Sequence, residues 1–102
     1  MALEVAYAPE AADDLRRLHD YILERSSVGL AVAYTSRLHR FCQGLGHFPE
    51  RGSRRDDLAP GLRVVGFERR VTVAFHIDGD RVIIDHLFYG GRSLDHAFAS
   101  ED

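Results

Sequence analysis

The sequence predicts an α+β fold in which a helical hairpin packs on a small, mainly antiparallel sheet, with the element order β-α-α-β-β-β. Two observations support this prediction. Apolar residues recur at helical spacing through two long segments of the first half, and they alternate at strand spacing through three short segments of the second half. Hydrophobic residues make up 45% and charged residues 28% of the chain, a balance that excludes a disordered protein. The 102 residues are expected to form one domain, residues 1–102, around one modest core.

The first predicted elements are a short strand and a helix. Residues 2–7 alternate apolar and mixed positions, which is typical of a strand. Pro9 is tolerated at the first helical position, and Glu10 places negative charge at the positive end of the helix dipole. Apolar residues then recur at steps of 4, 3 and 4, at Ala11, Leu15, Leu18 and Ile22. One face of this helix is therefore apolar.

A second helix follows after Ser26 and Ser27, either of which can cap it. Gly46 and Pro49 end it near residue 46. Its apolar positions again follow a helical stripe, at Ala31, Tyr34, Leu38, Phe41, Cys42 and Leu45. Two helices of this length with a short connection pack as antiparallel neighbours. Their apolar faces need a sheet to cover them.

Three strands are predicted at residues 62–65, 70–77 and 82–89, with Asp78-Gly79 as a hairpin turn between the last two. The last strand is apolar on both alternating faces, which favours an interior position in the sheet. We expect Val82, Ile84 and Phe88 on one face and Ile83, Leu87 and Tyr89 on the other. The pattern leaves open where the first strand joins the sheet. A short final helix, capped by Ser93, is predicted over residues 90–99.

The composition argues against several classes of function. Cys42 is the only cysteine, so no internal disulfide is possible, and its helical apolar context predicts an inert buried thiol. No pair of histidines falls at a recognised zinc-binding spacing. The six histidines are His19, His39, His47, His76, His86 and His96. No glycine-rich phosphate loop is present. We therefore expect no metal, cofactor or small-molecule ligand.

The sequence also lacks membrane and export signals. The first residues carry neither a basic nor a long apolar stretch, and no apolar run approaches the roughly 20 residues of a membrane span. A cytoplasmic protein with no membrane contact is expected.

Positive charge is concentrated in the middle of an acidic chain. All 13 basic residues are arginine. Residues 51–70 carry six of them against three acids, whereas the formal net charge of the whole chain is −3. Arginine favours carboxylate partners because its planar guanidinium can donate two parallel hydrogen bonds.

Several segments together resemble the ParE-type toxins of the ParE/RelE superfamily. They are Tyr7-Ala8-Pro9-Glu10-Ala11, Asp14-Leu15-x2-Leu18-x2-Tyr21-Ile22, Phe48-Pro49-x2-Gly52, Leu58-x-Pro60-Gly61-Leu62-Arg63, the predicted hairpin, and Tyr89-Gly90-Gly91-Arg92. Their order and spacing, over about residues 3–95, are more specific than any one of them. Ser93 departs from the aspartate that the family commonly has at this position.

The resemblance implies a plasmid-stabilisation toxin of a type II toxin–antitoxin system, neutralised by an acidic, ParD-like antitoxin in a hetero-oligomer. ParE members are known as DNA gyrase inhibitors, and RelE members cleave mRNA on the ribosome. We favour the gyrase inhibitor. A RelE-like endoribonuclease, and an inactive toxin-like protein that only forms a regulatory complex, remain alternatives.

Candidate residues differ between these alternatives. A ribonuclease needs a base, an acid and cationic donors, for which Arg70, His86, Tyr89 and Arg92 are the candidates. We favour binding without bond-breaking, because a sheet histidine and a strand-end tyrosine are common structural features and an isoelectric point near 6.0 is poorly suited to RNA. The expected partner contacts are Arg63, Arg69, Arg70 and Arg92.

Overall fold

The structure, a computed structural model, describes residues 2–89 and contains two helices packed on a five-stranded sheet. In chain order, the elements are β1 Glu4–Tyr7, α1 Pro9–Arg25, α2 Val28–Gly44, β2 Ser53–Arg54, β3 Arg63–Phe67, β4 Val71–Asp78 and β5 Arg81–Phe88. The sheet order is β1-β5-β4-β3-β2. The predicted α+β fold is confirmed. The predicted helix over 90–99 lies outside the described residues.

The position of the first strand, which the sequence left open, is now defined. β1 pairs in parallel with β5, with Glu4 opposite Arg81 and Tyr7 opposite Ile84. All other neighbouring strands are antiparallel. β5 is thus paired along both edges, as its apolar alternation predicted, because β1 covers one edge and β4 the other.

Local sequence explains how the helices begin. Pro9 is the first residue of α1 and Ala8 is its N-cap, without a side-chain hydrogen bond at the cap. At α2, the Ser27 hydroxyl oxygen accepts a hydrogen bond from the Leu30 amide at 3.2 Å. This is the capping expected of serine. Neither helix is long and apolar enough to cross a membrane, within residues 2–89.

The core lies between the helices and one face of the sheet. The fully buried larger side chains of this core include Leu38 and Cys42 from α2 and Leu45 at its C-cap, with Val73, Phe75, Val82 and Ile84 from the strands. A smaller cluster of Leu62, Ala74 and Phe88 covers the other face, where Leu58 and Ala59 pack against it. Both faces of the central sheet are therefore covered.

A β-bulge corrects the predicted faces of β5. The register passes from Phe75 opposite Ile84 to Ala74 opposite His86, so that Asp85 is an extra residue. Beyond the bulge the alternation is inverted. Leu87 joins the main core with Ile84, and Phe88 lies in the smaller cluster. The prediction that Phe88 shares a face with Ile84 was wrong for this reason.

Asp14 of α1 stabilises the bulge. Its carboxylate is 3% exposed, and Oδ2 accepts a hydrogen bond from the buried Leu87 amide at 3.0 Å. The same oxygen lies 3.3 Å from Nδ1 of His86. Because Leu87 then points toward the helices, the next residue on that face, Tyr89, packs against the helix-side core.

Candidate functional site: a groove lined by arginines

A groove of about 480 Å³ lies where the two helices meet the β3–β4 turn and the end of β5. Its apolar walls are Leu18 and Ile22 of α1, Leu30 of α2 and Val71 of β4. Tyr21, Tyr34 and Tyr89 contribute aromatic rings, and Arg37, Arg69 and Arg70 contribute positive charge. We call this surface the arginine groove. It combines apolar area with hydrogen-bond donors, as binding sites commonly do.

The aromatic residues of the arginine groove are held by ring contacts. Tyr21 and Tyr89 meet edge to face with ring centroids 5.6 Å apart, and Tyr34 packs edge-on against Phe67 at 5.7 Å. The guanidinium carbon of Arg25 lies 3.8 Å from the centroid of the Tyr21 ring. Edge-to-face pairs and a cation over a ring face are favourable geometries for these groups. The groove walls are therefore positioned before any partner arrives.

Arg69 and Arg70 are presented by a tight turn between β3 and β4. The Arg70 amide donates to the Phe67 carbonyl at 3.1 Å, and the two central residues, Glu68 and Arg69, have φ values of 50° and 61°. Two consecutive positive φ values define a type I′ turn, which suits the twist of a hairpin but is unfavourable for residues other than glycine. Such backbone strain is often found at ligand-binding sites.

An ion pair ties this turn to α2. Arg37 donates two parallel hydrogen bonds to the Glu68 carboxylate, at 2.9 and 3.0 Å. These bonds hold the pKa of Glu68 below its usual range. Both side chains are exposed, so the ion pair adds little to the free energy of unfolding. Its main effect is to position the β3–β4 turn against α2.

The arginines of the basic segment are used in different ways. Arg54 binds Asp56, and Arg55 binds Asp57, each through two hydrogen bonds of 2.9–3.0 Å. These pairs lower the pKa of both aspartates. By contrast, Arg69 and Arg70 form no ion pair within residues 2–89. The segment is therefore less basic than its arginine count suggests, and two of its arginines without an ion pair in this range, Arg69 and Arg70, lie at the turn.

The predicted partner contacts do not all meet. Arg69 and Arg70 share the arginine groove. Arg63 begins β3, at the other end of that strand from the turn, where its Nη1 donates to the Glu50 carbonyl at 2.8 Å. Arg92 lies outside the described residues.

The candidates of the ribonuclease alternative are also separated. Arg70 and Tyr89 line the arginine groove, whereas His86 lines a cleft of about 310 Å³ with His76 and Asp85. In that cleft, His76 Nδ1 lies 2.7 Å from an Asp85 oxygen. His86 lies 3.3 Å from an Asp14 oxygen through Nδ1, and its ring stacks on the ring of Phe88.

Tyr34 and Arg37 are groove residues that sequence reasoning missed as a site. Burial raises the pKa of Tyr34, and nearby Glu68 raises it further against the opposing charges of Arg70 and Arg37. The phenol therefore stays a hydrogen-bond donor at neutral pH. Tyr34 belonged to the predicted apolar stripe of α2, and Arg37 follows it by one helical turn, which was the available signal.

Cys42 takes no part in the groove. It is fully buried, and burial raises the pKa of its thiol to about 11. A thiol of this kind is a poor nucleophile at neutral pH. The groups of the groove instead offer cationic and phenolic donors beside apolar walls, an arrangement for binding a peptide segment that carries carboxylates.

Known proteins share this sequence and architecture. The family model for the ParE toxin of the type II toxin–antitoxin system parDE matches residues 5–94. Toxin ParE3 of Caulobacter vibrioides is 31% identical over 81 residues, which cover 79% of this chain and 80% of that protein.

Two solved structures share the fold. The chromosomal ParDE toxin–antitoxin system of P. aeruginosa matches with a TM-score of 0.76 and 19% identity, over 86% of this chain and 96% of that one. The toxin–antitoxin complex RelBE2 of Mycobacterium tuberculosis matches with a TM-score of 0.63 and 18% identity, over 90% and 95%. At these identities the structures support the fold, and the family model identifies the family. The chain belongs to the ParE toxin family of type II toxin–antitoxin systems.

Proposed function

We propose that an acidic, amphipathic segment of a cognate antitoxin binds in the arginine groove and neutralises this toxin in a hetero-oligomer. The observation that carries the proposal is the pair Arg69 and Arg70, which have no ion-pair partner within residues 2–89 and adjoin apolar walls. Carboxylates of a partner supply the missing bonds. The structural relatives are toxin–antitoxin systems by their titles, which supports a partner of this kind.

Exposed apolar side chains of the groove favour the same partner. Leu30 is 59% exposed and Tyr21 is 39% exposed. A bound amphipathic helix or strand would cover such area and stabilise the folded toxin by mass action. Co-expression with the antitoxin is therefore expected to raise the yield of soluble toxin.

The released toxin is proposed to act on DNA gyrase by binding, in the cytoplasm. The basis for this target is the resemblance to ParE toxins, which are known as gyrase inhibitors; the family model itself names the toxin and not its target. The separation of His86 from Arg70 and Tyr89 favours binding over phosphodiester cleavage, because an acid, a base and cationic donors must converge on one phosphate.

Calorimetry tests the role of the groove. Replacing Arg69 and Arg70 with alanine is expected to weaken binding of the antitoxin on the order of 100-fold, because two charge-assisted hydrogen-bond donors are lost. The matched control replaces Arg16 and Arg17, two adjacent exposed arginines of α1 that pair with Asp13, and is expected to bind normally. Equal affinity of the two double variants would remove the groove from the proposal.

Two activity assays test the target. Purified toxin is expected to inhibit supercoiling by gyrase or to accumulate cleaved DNA, and antitoxin added first should prevent either effect. In parallel, mRNA on translating ribosomes should remain intact. Transcript cleavage without an effect on gyrase would support the ribonuclease alternative, and inactivity in both assays would leave a complex-forming protein without toxicity.

A further inference from the structure

The hydroxyl of Tyr34 is buried without a hydrogen-bond partner in the part of the chain that the structure describes. A buried hydroxyl that has lost its water and gained no partner destabilises the folded protein. Such groups are uncommon in native structures and call for a physical explanation. This one belongs to a residue that lines the arginine groove.

Charged side chains of both signs act on this hydroxyl. The carboxylate of Glu68 acts most strongly on the Tyr34 phenol, and the charges of Arg70 and Arg37 oppose it. Arg37 is already engaged by Glu68 through two hydrogen bonds, whereas Arg70 forms no ion pair within residues 2–89. A phenolic donor and a guanidinium without an ion pair among the described residues both line the arginine groove, and together they favour an anionic acceptor. A carboxylate fits, since one oxygen can accept from each donor.

The ring of Tyr34 has little freedom to turn its hydroxyl elsewhere. It packs edge-on against Phe67, which is 8% exposed, and the Arg37 guanidinium carbon lies 5.2 Å from its centroid. These contacts hold the ring in the free toxin, so a partner reaches the buried hydroxyl by displacing the groove side chains that cover it rather than by turning the ring. The donor is therefore in place before the partner binds, which lowers the entropic cost of association.

We propose that the Tyr34 hydroxyl and Arg70 form a carboxylate subsite that receives one Asp or Glu side chain of the antitoxin segment. This inference rests on the proposed function and adds to it a preference for an acidic residue at one position of the antitoxin segment. The free toxin tolerates an unsatisfied donor, and the complex satisfies it. A segment without an acidic residue at that position would leave the hydroxyl buried and unpaired, and would be discriminated against.

The variant Tyr34→Phe tests the subsite through two readouts of opposite sign. Removing an unpaired buried hydroxyl is expected to raise the melting temperature of the free toxin by about 4–8 °C. The same change is expected to weaken binding of the antitoxin by roughly 10- to 100-fold, because a charge-assisted hydrogen bond is lost. A residue with a purely structural role would not give this combination.

The matched control is Tyr7→Phe. The Tyr7 hydroxyl lies 3.0 Å from Nδ1 of His39 and so has a partner, and Tyr7 is not a groove residue. Its removal is expected to lower the melting temperature and to leave the affinity for the antitoxin unchanged. A lower melting temperature for Tyr34→Phe, like that of the control, would show that its hydroxyl is already bonded and would overturn the inference.

A double-mutant cycle identifies the acidic residue. Each Asp and Glu of the antitoxin segment is replaced by its amide and measured against wild type and Tyr34→Phe. One position is expected to show coupling with Tyr34, and coupling at none would refute the subsite.

Acetate, titrated into free toxin and followed by the Tyr34 ring resonances, separates this inference from the proposed function. A saturable shift in wild type that is absent from Arg70→Gln supports the subsite even if no antitoxin binds the groove. Equal behaviour of the two proteins refutes the subsite even if the antitoxin binds.

Discussion

Replacing Asp14 with alanine is predicted to be among the most destabilising single changes on α1. Asp14 is 3% exposed, and its Oδ2 is the acceptor for the amide of Leu87, a fully buried residue. Alanine would leave this amide without that acceptor and would remove the contact at 3.3 Å to His86. An orphaned buried donor costs about 1–3 kcal/mol, and a hydrogen bond to a charged group contributes about 1.5–3 kcal/mol.

These two figures describe overlapping losses, so we expect a decrease of about 3 kcal/mol in the free energy of unfolding. Domains of this size have about 5–15 kcal/mol in total, so the variant should still fold. Its melting temperature is expected to fall by roughly 10–20 °C. Asp14→Asn keeps an oxygen that can accept from Leu87, and is expected to lose only about 1 kcal/mol.

Urea denaturation measures the effect, and hydrogen exchange locates it. In Asp14→Ala, the urea concentration at the unfolding midpoint should fall with little change in the m-value. The Leu87 amide of this variant should exchange its hydrogen much faster than in wild type. Asp13 provides the control, because it is adjacent, partly exposed and paired with Arg16 and Arg17. Asp13→Ala is expected to stay within about 0.5 kcal/mol of wild type. Equal stability of the two variants would refute the role assigned to Asp14.

Two further predictions concern other buried positions. Burial raises the pKa of the Cys42 thiol to about 11, so only about one molecule in a thousand carries the thiolate at pH 8. The native protein should therefore resist a thiol reagent until urea unfolds it, and rapid labelling of the native protein would contradict the burial of Cys42. In urea denaturation, Gly52→Ala should lower the free energy of unfolding more than Gly61→Ala. Both glycines have positive φ, but a Cβ at Gly52 would lie 2.2 Å from the Val64 carbonyl oxygen, whereas a Cβ at Gly61 would meet nothing within 4 Å. Equal losses would contradict that contact.

Much of the fold could be predicted because local patterns agreed with the tertiary structure. The apolar stripe of α1 was visible in Ala11 and Leu18, both of which are buried, and the stripe of α2 was visible in Leu38 and Cys42. The Asp78-Gly79 signal marked the hairpin, where Gly79 has a φ of 63°. In each case the local preference and the global packing lead to the same structure.

Other features depended on contacts that sequence patterns do not report. β2 contains only Ser53 and Arg54, and no alternation is visible over two residues. The bulge at Asp85 inverted the faces of the following residues, because a one-residue insertion shifts a period of two. The interaction that holds it joins residues more than 70 positions apart. No local pattern carries such information.

The candidate site was predictable only in part. Arg69 and Arg70 were selected from their charge, and the structure places both in the groove. The sequence could not show that Arg54 and Arg55 are already bound by neighbouring aspartates, since this depends on the loop conformation. Tyr34 belonged to the apolar stripe, and only the position of its hydroxyl distinguishes it from a core residue.

Hydrogen exchange of the toxin with and without its antitoxin is the most direct test of the central claim, that the arginine groove is the antitoxin-binding surface. We predict slower exchange on binding in residues 30–37 and 68–71, which contain the groove residues of α2 and of the β3–β4 turn, with little change around His76 and Asp85 in the separate cleft. Protection confined to that cleft, with unchanged exchange along the groove, would contradict the claim.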